Sequence, residues 1–236
     1  MAAYGQMADP APESSAVFNG DLGIGVNHSP GVTRSTSASN HLIPYANFDY
    51  GRFFGRVDTF GYNVTPLGYG DLELVTRVID DGYTPAFRGL DQRKSPIPLG
   101  LGTLQILPYG AVILNAYHDV NRSGGNLVDL IIAEQWESGR IALYPQAGAE
   151  YRSRNYVHYY YGLSELEASQ SNLHSYAPGE ATNLFAALFA ECRISGQWYL
   201  NLNLRQTWVD KSISDSPLVD RHVSRSGFAA ISYRFE

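Results

Sequence analysis

Charged and amide side chains recur at alternate positions over much of this chain: Glu73 and Arg77, Asp129, Glu150 and Arg152, Glu191 and Arg193, Arg205, Arg234. Asp21, Asn183, Asn201 and Asn203 follow the same spacing. In an extended strand, residues two apart share a face. A face that mixes acids with bases has two uses. It can ring a pore and select solutes by charge, or its carboxylates and guanidinium groups can neutralise one another and fill a narrow interior.

Other chemistry-bearing groups are weaker. His28-Ser29 and His174-Ser175 are adjacent pairs that could belong to a hydrolase. A catalytic triad is defined by geometry rather than adjacency, and the chain has no nucleophile elbow. The histidines at 28, 41, 118, 158, 174 and 222 lack metal-ligand spacing, so neither a metal nor a cofactor is expected. His158-Tyr159-Tyr160-Tyr161 with Ser164 and Glu167 reads either as a surface binding site or as tyrosines folded over a barrel mouth. Ser164-x-x-Glu167 is a capping-box pattern able to start one helical turn. Asp215-Ser-Pro-Leu-Val-Asp220 reads first as a turn and second as a cation site. Arg88, Asp91, Arg93 and Lys94 fall near an expected outer rim, where cations could meet lipopolysaccharide phosphates.

The elements that must position these groups are strands of period two. Trp198, Leu200, Leu202, Leu204 and Trp208 alternate with Tyr199, Asn201, Asn203, Arg205 and Thr207. Leu184 to Ile194, Ile141 to Tyr151, Leu72 to Val78, Phe18 to Val26 and Ala229 to Phe235 repeat the pattern. Glu134 is the exception, falling on the apolar face of 127–136. A soluble one-sided sheet would alternate likewise. Strands of about 9–11 residues instead suit a tilted outer-membrane crossing. Aromatic residues collect at strand ends as interface girdles: Trp136, Trp198 and Phe235 at one end, Tyr151 and Trp208 at the other.

Strands are expected near 16–29, 41–50, 52–57, 60–67, 70–79, 98–107, 111–119, 126–136, 139–151, 182–194, 197–209 and 225–235. Tight links alternate mostly with long ones, at 80–97, 152–181 and 210–224. The expected fold is all-β: an antiparallel up-and-down transmembrane barrel of twelve strands. Ten strands remain an alternative if 52–57 and 60–67 do not both span. Short turns would face the periplasm and longer loops the exterior.

Composition narrows the class. The chain has 236 residues, 44% of them hydrophobic, with 17 basic against 23 acidic residues and a net charge of −6. The acidic balance argues against a nucleic-acid partner. The longest apolar run, Leu184 to Ala190, is far too short for a membrane helix. The lone Cys192 excludes an intrachain disulfide framework and reads as an inert apolar side chain. Asn27-His-Ser, Asn63-Val-Thr and Asn121-Arg-Ser match glycosylation acceptors by chance. Residues 1–15 are polar and Pro-bearing, with no signal-peptide pattern, and read as a flexible segment before a barrel over 16–236.

Several separate motifs resemble the MipA/OmpV outer-membrane proteins, in order and across the whole barrel. They are Tyr50-Gly-Arg-Phe-Phe54, Arg88-Gly-Leu-Asp-Gln-Arg93, Tyr159-Tyr-Tyr-Gly-Leu-Ser164 with Glu167-Ala168 and Tyr176, Asp215 to Asp220, and Tyr233-x-Phe235. In bacterial barrels of this kind the final aromatic is normally the last residue; here Glu236 follows it. The resemblance implies a Gram-negative outer-membrane barrel with no established catalytic residues. It also implies a scaffold joining a lytic transglycosylase to a penicillin-binding protein in cell-wall assembly, with outer-membrane lipids and lipopolysaccharide as surroundings. Second stands a narrow channel for small solutes or ions, and third a lipid hydrolase.

Overall fold

The computed structural model describes residues 17–35, 37 and 39–235, so the 1–15 segment and Glu236 lie outside the described residues. Thirteen strand segments follow one another: β1 (Phe18–His28), β2 (Asn40–Tyr50), β3 (Phe53–Arg56), β4 (Thr59–Leu67), β5 (Gly70–Arg77), β6 (Pro98–Leu107), β7 (Gly110–Asp119), β8 (Asn126–Ala133), β9 (Trp136–Ser138), β10 (Ile141–Arg152), β11 (Ala181–Ser195), β12 (Trp198–Trp208) and β13 (Val223–Phe235). β8 and β9 both pair with β10, at 146–152 and 141–143, and so form two pieces of one arm. Sequential neighbours pair antiparallel, β10 pairs β11 over its whole length, and β13 returns to β1. The result is a closed barrel of twelve strands. Closure gives main-chain polar groups partners within the wall, which hydrocarbon otherwise makes obligatory.

The expected alternation becomes two faces. Outward-facing Leu22, Ile24, Val26, Leu101, Leu204 and Ile231 each keep 40% or more of their surface exposed, as a lipid-facing band requires. Trp136, Trp198 and Phe235 ring the end with the tight turns, and Tyr151 and Trp208 the end with the long loops. Glu134 sits in the break between β8 and β9, exposed, and accepts a hydrogen bond from Trp136 Nε1 at 3.1 Å. The count is twelve rather than ten, because β3 and β4 both join the wall. Their hairpin is short, however, since β3 has four residues.

The long loops fold into a lid. It contains α1 (Arg154–Tyr161), α2 (Glu165–Ser171) and the short α3 (Lys211–Ser214). α2 begins with the expected capping box: Ser164 Oγ accepts from Glu167 N–H, and the Glu167 carboxylate accepts from Ser164 N–H. α1 is a helix where only a loop is expected. Its Arg-Asn-Tyr-Val-His-Tyr-Tyr-Tyr composition has weak helix propensity, and burial of Tyr156, Val157 and Tyr160 holds it in place. The best-buried large side chains of the lid are Tyr156, Tyr160, Leu163, Ile213 and Leu218, all at 2% exposure or less.

Candidate functional site

Inside the barrel, charged side chains gather in two layers. The lower layer is small. Arg234 of β13 donates twice to Asp21 of β1, 2.7 Å each, and once to Glu191 of β11 at 2.7 Å. Its guanidinium lies 3.8 Å from the ring centre of Tyr199, a cation–π contact. Asn201 Nδ2 donates to Ser232 Oγ at 2.8 Å beside it, with both residues at 0% exposure. Above this layer the inward rings of Tyr45, Phe228, Phe189 and Tyr144 follow one another with centroids 5.6–6.2 Å apart.

The upper layer is larger. Four arginines meet four carboxylates. Arg56 is bidentate to Glu73 at 3.0 and 2.8 Å. Arg77 holds Asp58 at 2.9 Å and Asp129 at 2.8 Å, and reaches Glu150 at 3.5 Å. Arg152 holds Asp129 at 2.6 Å and Glu150 at 3.4 Å. Arg205 completes the chain on Glu150 at 2.8 Å and stacks 3.7 Å from the ring centre of Phe185. Charge-assisted bonds of this kind hold long side chains in one arrangement, and leaving any single member unpaired here is costly.

Over the upper layer lies a cavity of about 1480 Å³. Arg56, Arg77, Glu150, Arg152 and Arg205 line it, with Asn183 and Asn203 beside them. Its lining ends at Phe189 and Phe228, on the aromatic layer. Asn183 Oδ1 also accepts from Asp210 N–H at 2.9 Å, tying β11 to the start of α3. Arg193 sits apart from both layers: it is exposed near the end of β11, where its Nε donates to Gly196 C=O of the following tight turn at 2.7 Å.

Two members of the upper layer are absent from the sequence-based set, Arg56 and Asp58. Arg56 shares the inward face of β3 with Phe54, an alternation two residues long and too short to fix a register. Asp58 lies in the turn, where no periodicity applies.

The loop candidates separate. Arg93 holds Glu167 at 2.7 Å and donates to Gly162 C=O at 3.4 Å, with Tyr159 6.0 Å from its guanidinium. Ser164 belongs to the same group through the capping box. Tyr160 is an internal strut: its Oη donates to Lys94 C=O at 2.9 Å, and its C=O accepts from Tyr83 Oη at 2.5 Å. Tyr161 packs into the lid core. His158, Arg88 and Asp91 are exposed. Asp215 caps α3 and Asp220 accompanies Arg221 at 3.9 Å; both are exposed. Among the described residues no group of three or more His, Cys, Asp or Glu could hold a metal ion. His28 Nδ1 lies 2.7 Å from Asn40 Oδ1, an amide rather than an acid, and His174 and Ser175 are exposed.

Two lid carboxylates are shifted in opposite senses. Burial pushes Asp81 above the usual carboxylate range, only partly offset by Arg152 and by the hydrogen bond from Tyr156 Oη at 2.7 Å. Burial acts the same way on Glu167, but there the Ser164 N–H and hydroxyl together with Arg93 outweigh it and hold the carboxyl low.

A closed, even-stranded antiparallel sheet with an apolar outer band, aromatic girdles and a polar interior defines a bacterial outer-membrane β-barrel. Residues 22–235 match the profile of the family described as MltA-interacting protein MipA, and the chain belongs to that family. It is 26% identical over 233 residues to the putative outer membrane protein YiaT of Escherichia coli K12, spanning 96% of this chain and 95% of the relative. The MltA-interacting protein of the same organism is 26% identical over 226 residues, spanning 92% and 90%. Outer membrane protein OmpV of Vibrio cholerae is 28% identical over 158 residues, spanning 66% and 61%. The chain is an outer-membrane protein.

Proposed function

We propose that this protein is a non-enzymatic scaffold whose periplasmic turns hold a lytic transglycosylase and, beside it, a penicillin-binding protein. The observation that carries this reading is family membership across the barrel, with a relative of similar length named for interaction with MltA. The periplasmic end offers suitable anchors. Tyr69 and Tyr109, on neighbouring tight turns, are 70% and 92% exposed. Gln105 stiffens the first turn, accepting from Tyr69 N–H at 2.8 Å and donating to Leu67 C=O at 2.8 Å. Rigid exposed tyrosines are typical binding hot spots. A standard interface buries about 1,600 Å², so the other turns on this end must contribute.

The test is retention of purified lytic transglycosylase, and separately of penicillin-binding protein, on the immobilised barrel in detergent. Both are expected to be held, and Tyr69→Ala with Tyr109→Ala to weaken the hold severalfold. Recovery at background for both enzymes rejects the scaffold.

The cavity favours a second reading, a narrow channel for small solutes or ions. Planar-bilayer recording separates the two. No conductance in the parent protein, and none in Arg205→Ala or Glu191→Ala, removes the channel.

A further inference from the structure

The wall is incomplete at one place. β2 pairs with β1 along its full length, but with β3 only from Asn47 to Tyr50. The β3–β4 hairpin turns back at Val57-Asp58, partway up the wall, and is pinned there by Val57 N–H to Ala46 C=O and Val78 N–H to Asp58 C=O, both 2.8 Å. Val57 takes a positive φ of 61° to make that turn, uncommon for a β-branched residue. Above it, residues 40–46 of β2 have no strand on that side.

Main-chain groups of a strand point alternately to its two neighbours. Since Ala46 aims at β3, the next position aimed the same way is Pro44, which has no N–H. A proline at an unpaired edge leaves one donor fewer unsatisfied and blocks addition of a further strand. The gap is therefore not fitted to a second copy of the sheet edge.

The cavity borders this gap. Its lining includes inward-facing Ile43, Asn47 and Arg77 and also outward-facing Pro44, Phe60 and Val78. Facing follows from register: Asn47 pairs with Arg56, which shares its face with Glu73-bound groups, while Phe60 pairs with Thr76 on the opposite face. With no β3 partner for β2 above Asn47, the cavity borders an opening in the wall on this side. The opening is framed above by His41 and Asp80 at 3.7 Å, and by loop contacts from Ser37 Oγ to Thr84 N–H and Arg34 C=O to Ala86 N–H. The outward faces on this level, Ile24 and Val26 paired with Pro44 and Leu42, belong to the lipid-facing band.

We propose that this window is a lateral portal through which a single-chain amphipath with a cationic head passes between the outer leaflet and the upper cavity. The apolar chain has Ile43, Val57, Val78 and Ile79 to lie against. The sign of the head follows from what is engaged. Arg56, Arg77, Arg152 and Arg205 on the cavity each already hold a carboxylate, and Arg221, farther along the lining, lies 3.9 Å from Asp220. At the window, by contrast, Asp58 and Asp80 keep 44% and 58% of their side-chain surface exposed. An anion at the upper layer would have to displace a carboxylate from an arginine, whereas an ammonium group at the window meets the exposed sides of two carboxylates, Asp58 beside Arg77 and Asp80 beside His41.

The experiment is photolabelling in nanodiscs with a diazirine-bearing alkyltrimethylammonium and, in parallel, an alkyl sulfate of equal chain length. Adducts are mapped by mass spectrometry. The cationic probe is expected to label peptides 40–46 and 57–60 and 76–80 on their inner and window positions. Pro44→Trp should cut that labelling severalfold while leaving labelling near Leu204 and Ile231 unchanged. Asp80→Asn should reduce it for the cationic probe alone. A heat-modifiable gel shift verifies that each variant is folded. Adducts confined to the outward band overturn the portal, and equal window labelling by the alkyl sulfate overturns the cationic assignment.

Discussion

The two halves of the lumen are built from one sequence pattern and closed in different ways. Below, the wall fills its own interior with rings: inward Tyr45, Phe228, Phe189 and Tyr144 pack in sequence along the β2–β10 side, and one arginine joins Asp21 and Glu191 beneath them. Above, the inward rings of Phe54, Tyr117 and Phe185 lie against the wall, smaller Ala187, Asn203, Ser226 and Gln146 share the inner face, and a cavity remains. The roof there comes from the loops, through α1, α2 and α3. Binary alternation sets which residues face inward, but side-chain volume at those positions decides between plug and cavity. Small barrels are filled by side chains and wide ones left open; this one does both along a single axis.

The largest test of that division is ionic. Arg234→Met leaves buried Asp21 and half-buried Glu191 without their cation, and should cost about 3 kcal/mol, the low end for a buried pair. In the upper layer Glu150 is shared by Arg77, Arg152 and Arg205. Arg205→Met therefore leaves it partnered, and should cost roughly 1–3 kcal/mol. Urea unfolding in liposomes compares the two directly. Equal losses would mean that the halves are not energetically distinct.

The next test opens the floor. Phe189→Ala with Phe228→Ala removes two of the four rings, and should raise the conductance in planar bilayers severalfold above that of the parent barrel. Each truncation should also cost about 3–5 kcal/mol if the rings are fully packed, less if lumen water fills the space. A silent double variant would place the true constriction lower, at Arg234 and Asn201.

The strands were legible because period two leaves a mark in every segment longer than about five residues. Twelve expected ranges coincide with the wall, and Leu200, Leu202 and Leu204 face outward as their spacing requires. Two features were not legible. The helix over Arg154–Tyr161 depends on contacts with Phe54 and Leu127, far away in sequence, and its own residues favour no helix. The window depends on where β3 stops, and a four-residue strand between two turns carries too little pattern to show that it ends partway up. For the charged residues, sequence supplied the inward face but not the partners: Asp129 and Arg77 are 52 positions apart, and only closure of the barrel brings them together.

The smallest effects concern the roof. Removing the cap of α2 with Ser164→Ala should cost about 1 kcal/mol, visible as faster hydrogen exchange over 164–171 and not over the strands. Acidity should move the two sides of the roof in opposite directions. Asp81 has a raised folded pKa, so its contribution is complete below the ordinary aspartate value of about 3.9 and is lost as pH rises through the folded value. Glu167 has a lowered one, so its contribution is present above the ordinary glutamate value of about 4.3 and is lost as pH falls through the folded value. On acidification, exchange should slow around Asp81 and Tyr156 and quicken at the start of α2. The floor, where Arg234 of β13 pins one carboxylate from β1 and one from β11, should hold its protection over the same range until the barrel as a whole unfolds. A roof that tightens or loosens as one body would show that α1 and α2 form a single unit, and that the upper half has one closure rather than two.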